Sequence, residues 1–308
     1  MADDKVVCTT PIMEKFQLTE YEYEGMTLLK EAFPAWALDE IKETLLDDSD
    51  VMVVTYAKCG TTWMQEIVYQ VNTEGDFEGS DNAPLHDRYN FLEEGRPSPK
   101  GPTGINRFKA DTPPRYLKSH LPSKFFKKTL ENRKTKFVVV FRNPKDMLVS
   151  FYNFYKMAPF KFDRNGTWEE FFDIFKKDKL VHGNYFDMQL SWWAYRDDPQ
   201  VKIFHYENML KDPVQAVRDV ATFLEKDLSD ELVQKIVERT SFKSMKSNPM
   251  LNYSTVSSKA MNHEVSPFMR KGQVADWQNY FSEEQKKYVD ELCKKRFEPE
   301  GLFLQDEI

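Results

Sequence analysis

Short runs of apolar, β-branched residues alternate along the chain with longer stretches in which apolar positions recur every three to four residues. The short runs are typical of buried strands, and the periodic stretches are typical of amphipathic helices. The predicted strands are VMVVTY (51–56), RYLKSH (115–120), KFVVVFR (136–142) and VKIFHYE (201–207). The predicted helices lie at residues 36–47, 61–72, 144–157, 167–177, 184–197, 213–225 and 229–238.

Strands that alternate with helices predict an α/β fold with a central parallel sheet covered by helices on both faces. We predict that residues 1–308 form a single domain, which this length allows. Segments 75–114 and 246–272 are predicted to be long loops near the active site, because long ordered loops usually form lids or pocket walls. Ligands bind such sheets at the carboxyl ends of the strands.

Composition and charge narrow the classes of function. The chain is 41% hydrophobic and 30% charged, which is typical of a globular protein with a sizeable core. Its net charge of -7 argues against a nucleic-acid-binding surface, so an anion site must be a local cationic pocket.

Cellular location is predicted from what the sequence lacks. The longest apolar runs are too short to cross a membrane, and MADDKVV at the N-terminus lacks the pattern of a secretory signal. Cys8, Cys59 and Cys293 show no metal-ligand spacing and cannot all pair within one chain. We therefore predict a cytoplasmic protein without membrane association.

The first candidate site is AKCGTT (57–62), a polar loop between a predicted strand and a predicted helix. A helix N-terminus offers unpaired N–H groups and the positive end of the helix dipole to an anion. The loop is P-loop-like in placement, but it fails the G-x-x-x-x-G-K-[ST] pattern because Lys58 precedes the only glycine, Gly60. The alternative is an ordinary turn whose threonines cap the helix.

Two further candidates also follow predicted strands. Arg142 precedes an Asn-Pro helix start, and Ser150 lies about two helical turns later, although Arg142 could equally form an ion pair. In RYLKSHLPS, period-2 alternation places Tyr116, Lys118 and His120 on one face. Lys118 and His120 could serve as electrostatic clamp and general base, whereas a purely structural histidine is the alternative.

The remaining candidates lie in loops or beside them. Arg270, Lys271 and Gly272 form a basic triplet that is either an anion clamp or a solvated charge run. Trp63 and Phe242 could flank a nucleotide base, or they could be core residues.

Together these motifs resemble the cytosolic sulfotransferases. TYAKCGTTW is similar to that family's TYPKSGTTW loop, LKSHLP to its K-[TS]-H-L-P segment, and SPFMRKGQVADW to its RKGxxGDW signature. FRNPKDMLVSFYNFY and TSFKSMKSNPMLNYS also look like family segments. The motifs occur in family order over a core of about 33–281.

The resemblance implies transfer of a sulfonate group from 3′-phosphoadenosine 5′-phosphosulfate (PAPS) to a hydroxyl group of a small, phenolic or otherwise apolar acceptor. It also implies three groups of residues. The catalytic group is His120, Lys58, Lys118 and Ser150. The donor-binding group is Lys58, Cys59, Gly60, Thr61, Thr62, Trp63, Arg142, Ser150, Tyr206, Thr240, Phe242, Phe268, Met269, Arg270, Lys271 and Gly272. The acceptor-binding group is Phe91, Lys118, His120, Phe154 and Tyr253.

No metal is predicted, because the motifs contain no carboxylate cluster and the transferring sulfonate carries less charge than a phosphoryl group. Two alternatives stay open: a family member that binds nucleotide or small ligands with weak catalysis, and a nucleotide kinase of related architecture. The kinase would require a Walker-type loop and Mg²⁺.

Three departures from the family pattern matter. Cys59 and Ala57 replace the usual serine and proline, and a cysteine beside a lysine at a helix N-terminus should have a lowered pKa and be open to oxidation. Ala275 replaces a glycine and would be strained if that position has a positive φ. The stretch QNYFSEEQKK from Gln278 lacks the family's K-x-x-x-T-V-x-x-x-E dimer segment, which leaves the oligomeric state open.

Overall fold

The fold is built around a parallel sheet. The structure is a computed structural model that describes residues 19–96, 98, 100–158, 165–256 and 261–306. Cys8 lies outside the described residues. The described strands are β1 (Glu20–Tyr23), β2 (Met26–Leu29), β3 (Val51–Thr55), β4 (Asn90–Phe91), β5 (Tyr116–Ser119), β6 (Lys136–Phe141) and β7 (Val201–His205).

The central sheet has the order β4-β5-β3-β6-β7, and every neighbouring pair is parallel. Val53 of β3 lies opposite Lys118 of β5 and Val138 of β6. The predicted parallel sheet is therefore confirmed, with each predicted strand ending one or two residues later than the observed one. Parallel strands bring their carboxyl ends to one edge, so the loops after β3, β5 and β6 come together.

An antiparallel hairpin of β1 and β2 precedes the sheet and was not predicted. Its turn residues, Glu24 and Gly25, both have positive φ, at 48° and 83°. Two successive residues of this kind form the tight turn that suits a hairpin. The glycine in EYEGM was the available sequence signal.

Helices cover both faces of the sheet, and each predicted helix is present. Two of them, at 61–72 and 144–157, have the predicted bounds. The helices are α1 (Ala35–Glu43), α2 (Thr61–Asn72), α3 (Phe77–Asn82), α4 (Leu85–Arg88), α5 (Gly104–Ala110), α6 (Lys127–Asn132), α7 (Pro144–Met157), α8 (Trp168–Lys176), α9 (Tyr185–Trp193), α10 (Tyr206–Lys211), α11 (Pro213–Phe223), α12 (Asp230–Arg239), α13 (Phe242–Ser247) and α14 (Glu283–Arg296).

The prediction that residues 75–114 form a loop was wrong in part. This segment contains α3, α4, β4 and α5, whose helices have only four to seven residues. Helices this short show too few turns to reveal a period. Helix α14 was also missed, because Val289 is its one buried residue and charged residues fill most of it.

Alternate residues of the central strands pack into two hydrophobic clusters, one on each face. Met52 and Val54 belong to one cluster, whereas Val51 and Val53 belong to the other. A sheet buried on both faces explains why β3 and β6 are continuous apolar runs. Across the described ranges, no helix combines the length and the hydropathy that spanning a membrane requires.

Candidate active site

A cavity of about 970 Å³ lies where the loops after β3, β5 and β6 meet. Its described lining includes eight lysines and arginines but only two carboxylates, those of Asp87 and Glu94, in a chain of net charge -7. Positive charge is thus concentrated in one pocket. The predicted site residues that line it are Lys58, Gly60, Thr61, Thr62, Trp63, Phe91, Lys118, His120, Arg142, Ser150, Phe154, Tyr206, Phe242, Tyr253, Phe268, Met269, Arg270, Lys271 and Gly272.

The first loop joins β3 to α2 in a left-handed conformation. Lys58 and Gly60 have φ values of 71° and 97°. A Cβ atom at Gly60 would lie 2.7 Å from a ring carbon of Tyr206, so glycine is needed there for conformation and for space. Gly60 is also the N-cap of α2, and because it has no side chain, no capping oxygen competes for the first N–H groups of the helix.

The residues after Gly60 add polar side chains to that helix start. Thr61 Oγ1 lies 2.6 Å from Thr55 Oγ1, and Trp63 meets the ring of Tyr206 edge to face at 5.5 Å between centroids. Among the described residues, no acceptor lies within hydrogen-bond reach of the buried Trp63 Nε1. This N–H group can therefore serve a ligand.

Cys59 corrects the prediction of a reactive thiol. Its side chain is fully buried in the core, and burial raises the pKa of the thiol, an effect that the nearby Arg142 opposes but does not overcome. The turn that the backbone makes here, with the Cys59 amide donating to the Tyr56 carbonyl, directs the side chain away from the cavity. The predicted lowered pKa is wrong.

Thr240 also lies outside the cavity lining. Its hydroxyl donates to the Ile236 carbonyl 2.8 Å away, within the last turn of α12, and the residue is buried. A threonine at the end of a helix often bonds back to the preceding turn in this way.

Arg142 connects two loops of the site. Its guanidinium donates to the Lys58 carbonyl at 3.0 Å and to the Gln273 carbonyl at 3.4 Å, and it stacks 4.3 Å from the centre of the Tyr206 ring. Within the described part of the chain, its buried Nε has no acceptor. Ser150, two turns down α7, lines the same cavity. An arginine with an unused buried N–H is suited to an anion.

Arg270 and Lys271 both form ion pairs with the buried carboxylate of Asp276. Burial raises the pKa of Asp276, but these two cations outweigh that effect and leave the pKa below its usual value.

At Gly272, φ is 62° and a Cβ atom would lie 2.1 Å from the Phe242 ring. The backbone at Gly272 therefore lies directly against the Phe242 ring. We call Lys58, residues 60–63, Arg142, Ser150 and residues 270–272 the cationic half of the cavity.

Ala275 answers the question that the sequence left open. Its φ is 66°, in the left-handed region, so an L-residue is strained there. The conformation is fixed by Asp146 of α7, whose carboxylate accepts from the Ala275 amide at 2.8 Å and from the Trp277 amide at 3.0 Å.

His120 follows β5, and contacts fix both its ring and its amide. Nδ1 lies 2.8 Å from the Thr55 carbonyl. Because a carbonyl can only accept, the proton is on Nδ1, and the lone pair of the neutral ring is on Nε2. The His120 amide donates to Glu93 Oε1 at 2.6 Å. Burial raises the pKa of the Glu93 carboxyl to about 7, although hydrogen bonds from the His120 amide and the Ser119 hydroxyl lower it.

Four aromatic residues form a closed group around His120, which we call the four-ring cluster: Phe33, Phe91, His120 and His182. Ring centroids are 5.8 Å apart for Phe33 and Phe91, 5.2 Å for Phe91 and His120, 5.0 Å for the two histidines, and 4.9 Å for His182 and Phe33. All four line the cavity. Sequence reasoning missed Phe33 and His182 because their neighbours are distant along the chain.

Both candidate catalytic lysines contact aromatic rings. Lys58 Nζ lies 4.5 Å from the Phe154 ring centre and 4.3 Å from that of Phe268, and Lys118 Nζ lies 4.1 Å from that of Phe91. Such cation–π contacts stabilise an ammonium group while water is excluded. Phe91, Phe154 and Phe268 therefore hold lysines as well as line the pocket. Across the described ranges, no three His, Cys, Asp or Glu side chains are grouped as metal ligands.

In a comparison with known protein families, residues 48–300 match the family described as "Sulfotransferase domain". Sulfotransferase 1C2 of Oryctolagus cuniculus is 39% identical over 277 residues, covering 90% of this chain and 92% of that protein. Sulfotransferase 1A1 of Bos taurus is 38% identical, covering 89% of this chain and 94% of that protein.

Two solved structures are also similar. The mouse sulfotransferase SULT7A1 complexed with PAP has a TM-score of 0.73 at 27% identity, covering 90% of this chain and 93% of that one. Retinol dehydratase in complex with androsterone and the inactive cofactor PAP has a TM-score of 0.81 at 23% identity, covering 96% of both chains. The latter likeness concerns the fold alone.

Proposed function

The chain belongs to the sulfotransferase family, and from this we propose that it transfers a sulfonate group from PAPS to the hydroxyl group of a small phenolic or other apolar alcohol. The observation that carries the proposal is that the cationic half and His120 line the same cavity. A site with both parts can hold a doubly phosphorylated donor and deprotonate an acceptor beside it.

The cationic half fits the two anionic ends of this donor. The start of α2, with Gly60, Thr61 and Thr62, binds the 5′-phosphate through N–H groups and hydroxyls. The 3′-phosphate is bound by Arg142, Ser150, Arg270, Lys271 and Gly272. The unused buried N–H of Arg142 supports this assignment, as do two cations whose existing partner, Asp276, a phosphate can replace.

The adenine lies between aromatic side chains. Trp63 and Phe242 face it from two sides, with Tyr206 beside them, and each of the three lines the cavity. The contact of Gly272 with the Phe242 ring ties the position of that ring to the 3′-phosphate loop.

His120 acts as general base through Nε2, the nitrogen that carries the lone pair when Nδ1–H donates to Thr55. As His120 takes the proton, the acceptor oxygen forms a bond to sulfur, and the bond from sulfur to the bridging oxygen breaks. The bridging oxygen keeps that electron pair and leaves with adenosine 3′,5′-bisphosphate (PAP). Lys58 stabilises its charge, and Lys118 neutralises the transferring sulfonate. Positioning and charge stabilisation thus supply the catalysis, without a metal.

The acceptor lies against Phe91, Phe154, Tyr253 and Phe268, whose rings favour an aromatic or apolar alcohol. The protein acts in the cytoplasm, and its sulfotransferase domain is matched over residues 48–300. Its proposed partner is a small-molecule hydroxyl acceptor, and the proposal includes neither a nucleic-acid nor a membrane partner.

Thermal unfolding with added nucleotides tests the donor assignment. PAP at about 100 times its dissociation constant should add roughly 2.7 kcal/mol of stability, a rise in Tm of about 5–10 °C for a chain of this size. A shift with Mg-ADP but none with PAP would instead support a kinase. No shift with either nucleotide would contradict the proposed donor site.

The variant His120→Ala tests the base. Its sulfonation rate should fall by about 10²–10⁴-fold, the usual contribution of a general base, while the Tm shift with PAP persists. His205, at the end of β7, does not line the cavity and offers a matched control as His205→Ala. Unchanged sulfonation by His120→Ala would exclude His120 as the base.

A further inference from the structure

His182 lies in a strained turn beside the proposed base. Its φ is 75°, the next residue, Gly183, has φ 79°, and the His182 side chain is buried while lining the cavity. Left-handed conformations are costly for residues other than glycine, and they persist where surrounding contacts fix the backbone.

Contacts from three parts of the chain fix this turn. The His182 amide donates to the Thr27 carbonyl of β2 at 3.0 Å. The Tyr56 hydroxyl donates to the Gly183 carbonyl at 2.8 Å, and the Val181 amide donates to the Tyr155 hydroxyl at 2.9 Å. The His182 ring therefore has a defined position in the cavity wall.

The four-ring cluster is divided into an apolar side and a polar side. Phe33 and Phe91 are neighbours, and so are His120 and His182, whose ring planes meet at 64° with 5.0 Å between centroids. The phenyl rings suit an aromatic acceptor, and the imidazoles suit hydroxyl groups on one edge of it. Imidazole nitrogens can donate or accept hydrogen bonds of about 2.7–3.2 Å.

Two hydroxyl groups on adjacent carbons of an aromatic ring are separated by roughly one hydrogen-bond length, about 2.7 Å. When one of them is at His120, the other can reach the neighbouring imidazole. We propose that the four-ring cluster selects aromatic acceptors with hydroxyl groups on adjacent carbons, with His120 deprotonating one hydroxyl and His182 hydrogen-bonding the other. This inference rests on the proposed sulfotransferase function, which it refines.

The test compares catechol with phenol as acceptors, using kcat/KM for each and PAPS as donor. His182→Phe keeps an aromatic ring and removes both nitrogens. His182→Asn removes the ring and suits a left-handed backbone. The control is His205→Phe, since His205 lies at the end of β7, does not line the cavity and packs its ring against Phe141.

The ratio of kcat/KM for catechol to that for phenol should fall about five- to tenfold in His182→Phe, the loss expected for one hydrogen bond. His182→Asn should also lower the ratio, whereas His205→Phe should leave it unchanged. Each variant should keep the wild-type Tm shift with PAP, which shows that the fold and the donor site are intact.

An unchanged ratio in His182→Phe would overturn the inference, even if both rates fell together, because a purely structural role affects the two acceptors equally. A similar fall in His205→Phe would also overturn it. Failure of the proposed function gives a different result: wild-type protein that sulfonates neither acceptor and shows no shift with PAP.

Discussion

The cationic half of the cavity is shaped mainly by backbone, whereas the four-ring cluster is shaped by side chains. Both regions contain left-handed residues, but these serve different ends. At Gly60 and Gly272 the conformation brings the main chain against an aromatic ring, with no room for a Cβ atom. At His182 it places a side chain in the cavity wall.

This difference determines what each region can tolerate. In the cationic half, an added methyl group should weaken ligand binding by an amount that does not change with pH. In the four-ring cluster, where the buried Glu93 carboxyl group accepts from the His120 amide, the free energy of unfolding should change with pH.

The largest expected effect concerns Glu93, which supports the four-ring cluster. Its pKa is about 7 in the folded protein and 4.5 when the carboxyl group is exposed to water, so the folded state binds more protons between these pH values. The contribution of Glu93 to the free energy of unfolding is fully present below about pH 4.5 and is lost as pH rises through about 7. The loss reaches about 3 kcal/mol. The nearby ammonium group of Lys118 moderates this loss.

The variant Glu93→Gln removes the titrating group while keeping an oxygen for the His120 amide. Urea unfolding at about pH 5 and about pH 8 should therefore show a smaller decline for the variant than for the wild type. Glu225, an exposed residue, provides the control Glu225→Gln. Parallel declines in the wild type and Glu93→Gln would show that Glu93 is not the titrating group.

The second effect concerns Gly272→Ala in the cationic half. The new Cβ atom would lie 2.1 Å from the Phe242 ring and would force it to move. PAP binding should weaken about 10–100-fold, a loss of roughly 1.4–2.7 kcal/mol. Isothermal titration at about pH 6 and about pH 8 should give the same loss.

Gly301→Ala is the matched control for Gly272→Ala. Gly301 has φ 71°, but a Cβ atom added there would meet none of the described residues within 4 Å, so the substitution adds backbone strain without a clash among them. If Gly301→Ala weakened PAP binding equally, the contact with Phe242 would not be the cause.

The smallest effect concerns Ala275→Gly, which restores the glycine of the family pattern. Glycine relieves the strain at φ 66°, about 1–2 kcal/mol, but loses about 0.5–1 kcal/mol of chain entropy. Calorimetry should show a small rise in Tm, of about 1–3 °C. Ala221→Gly, within α11, should instead lower Tm. A fall in both variants would mean that Ala275 is unstrained.

Sequence patterns predicted the parts of this protein that short chain segments determine. The core strands and helices α2 and α7 show their periods within one element, and the loops after β3 and β6 carry their cations directly after a strand. Cys59 shows the limit of that reasoning. The position of the loop was predicted correctly. Whether a side chain in it faces the ligand or the core depends on a backbone turn that the residue types alone do not reveal.

The missed features depend on contacts between distant segments. Glu93 and His120 are 27 residues apart, and the four-ring cluster draws on four separate segments. No local period brings such residues together. A lone histidine before a glycine, as at His182, indicates a turn without indicating which cavity the ring lines.

The ion pairs of Asp276 with Arg270 and Lys271 also bear on how donor binding responds to salt. Asp276 is a counter-ion supplied by the protein itself, and it limits the repulsion among the clustered cations while no donor is bound. In the proposed donor complex the 3′-phosphate replaces Asp276 at these two residues, so binding should release fewer salt ions into solution than the charge of Arg270 and Lys271 suggests. We expect the affinity for PAP to depend less steeply on ionic strength in the wild type than in Asp276→Asn, a comparison that titrations at several salt concentrations provide.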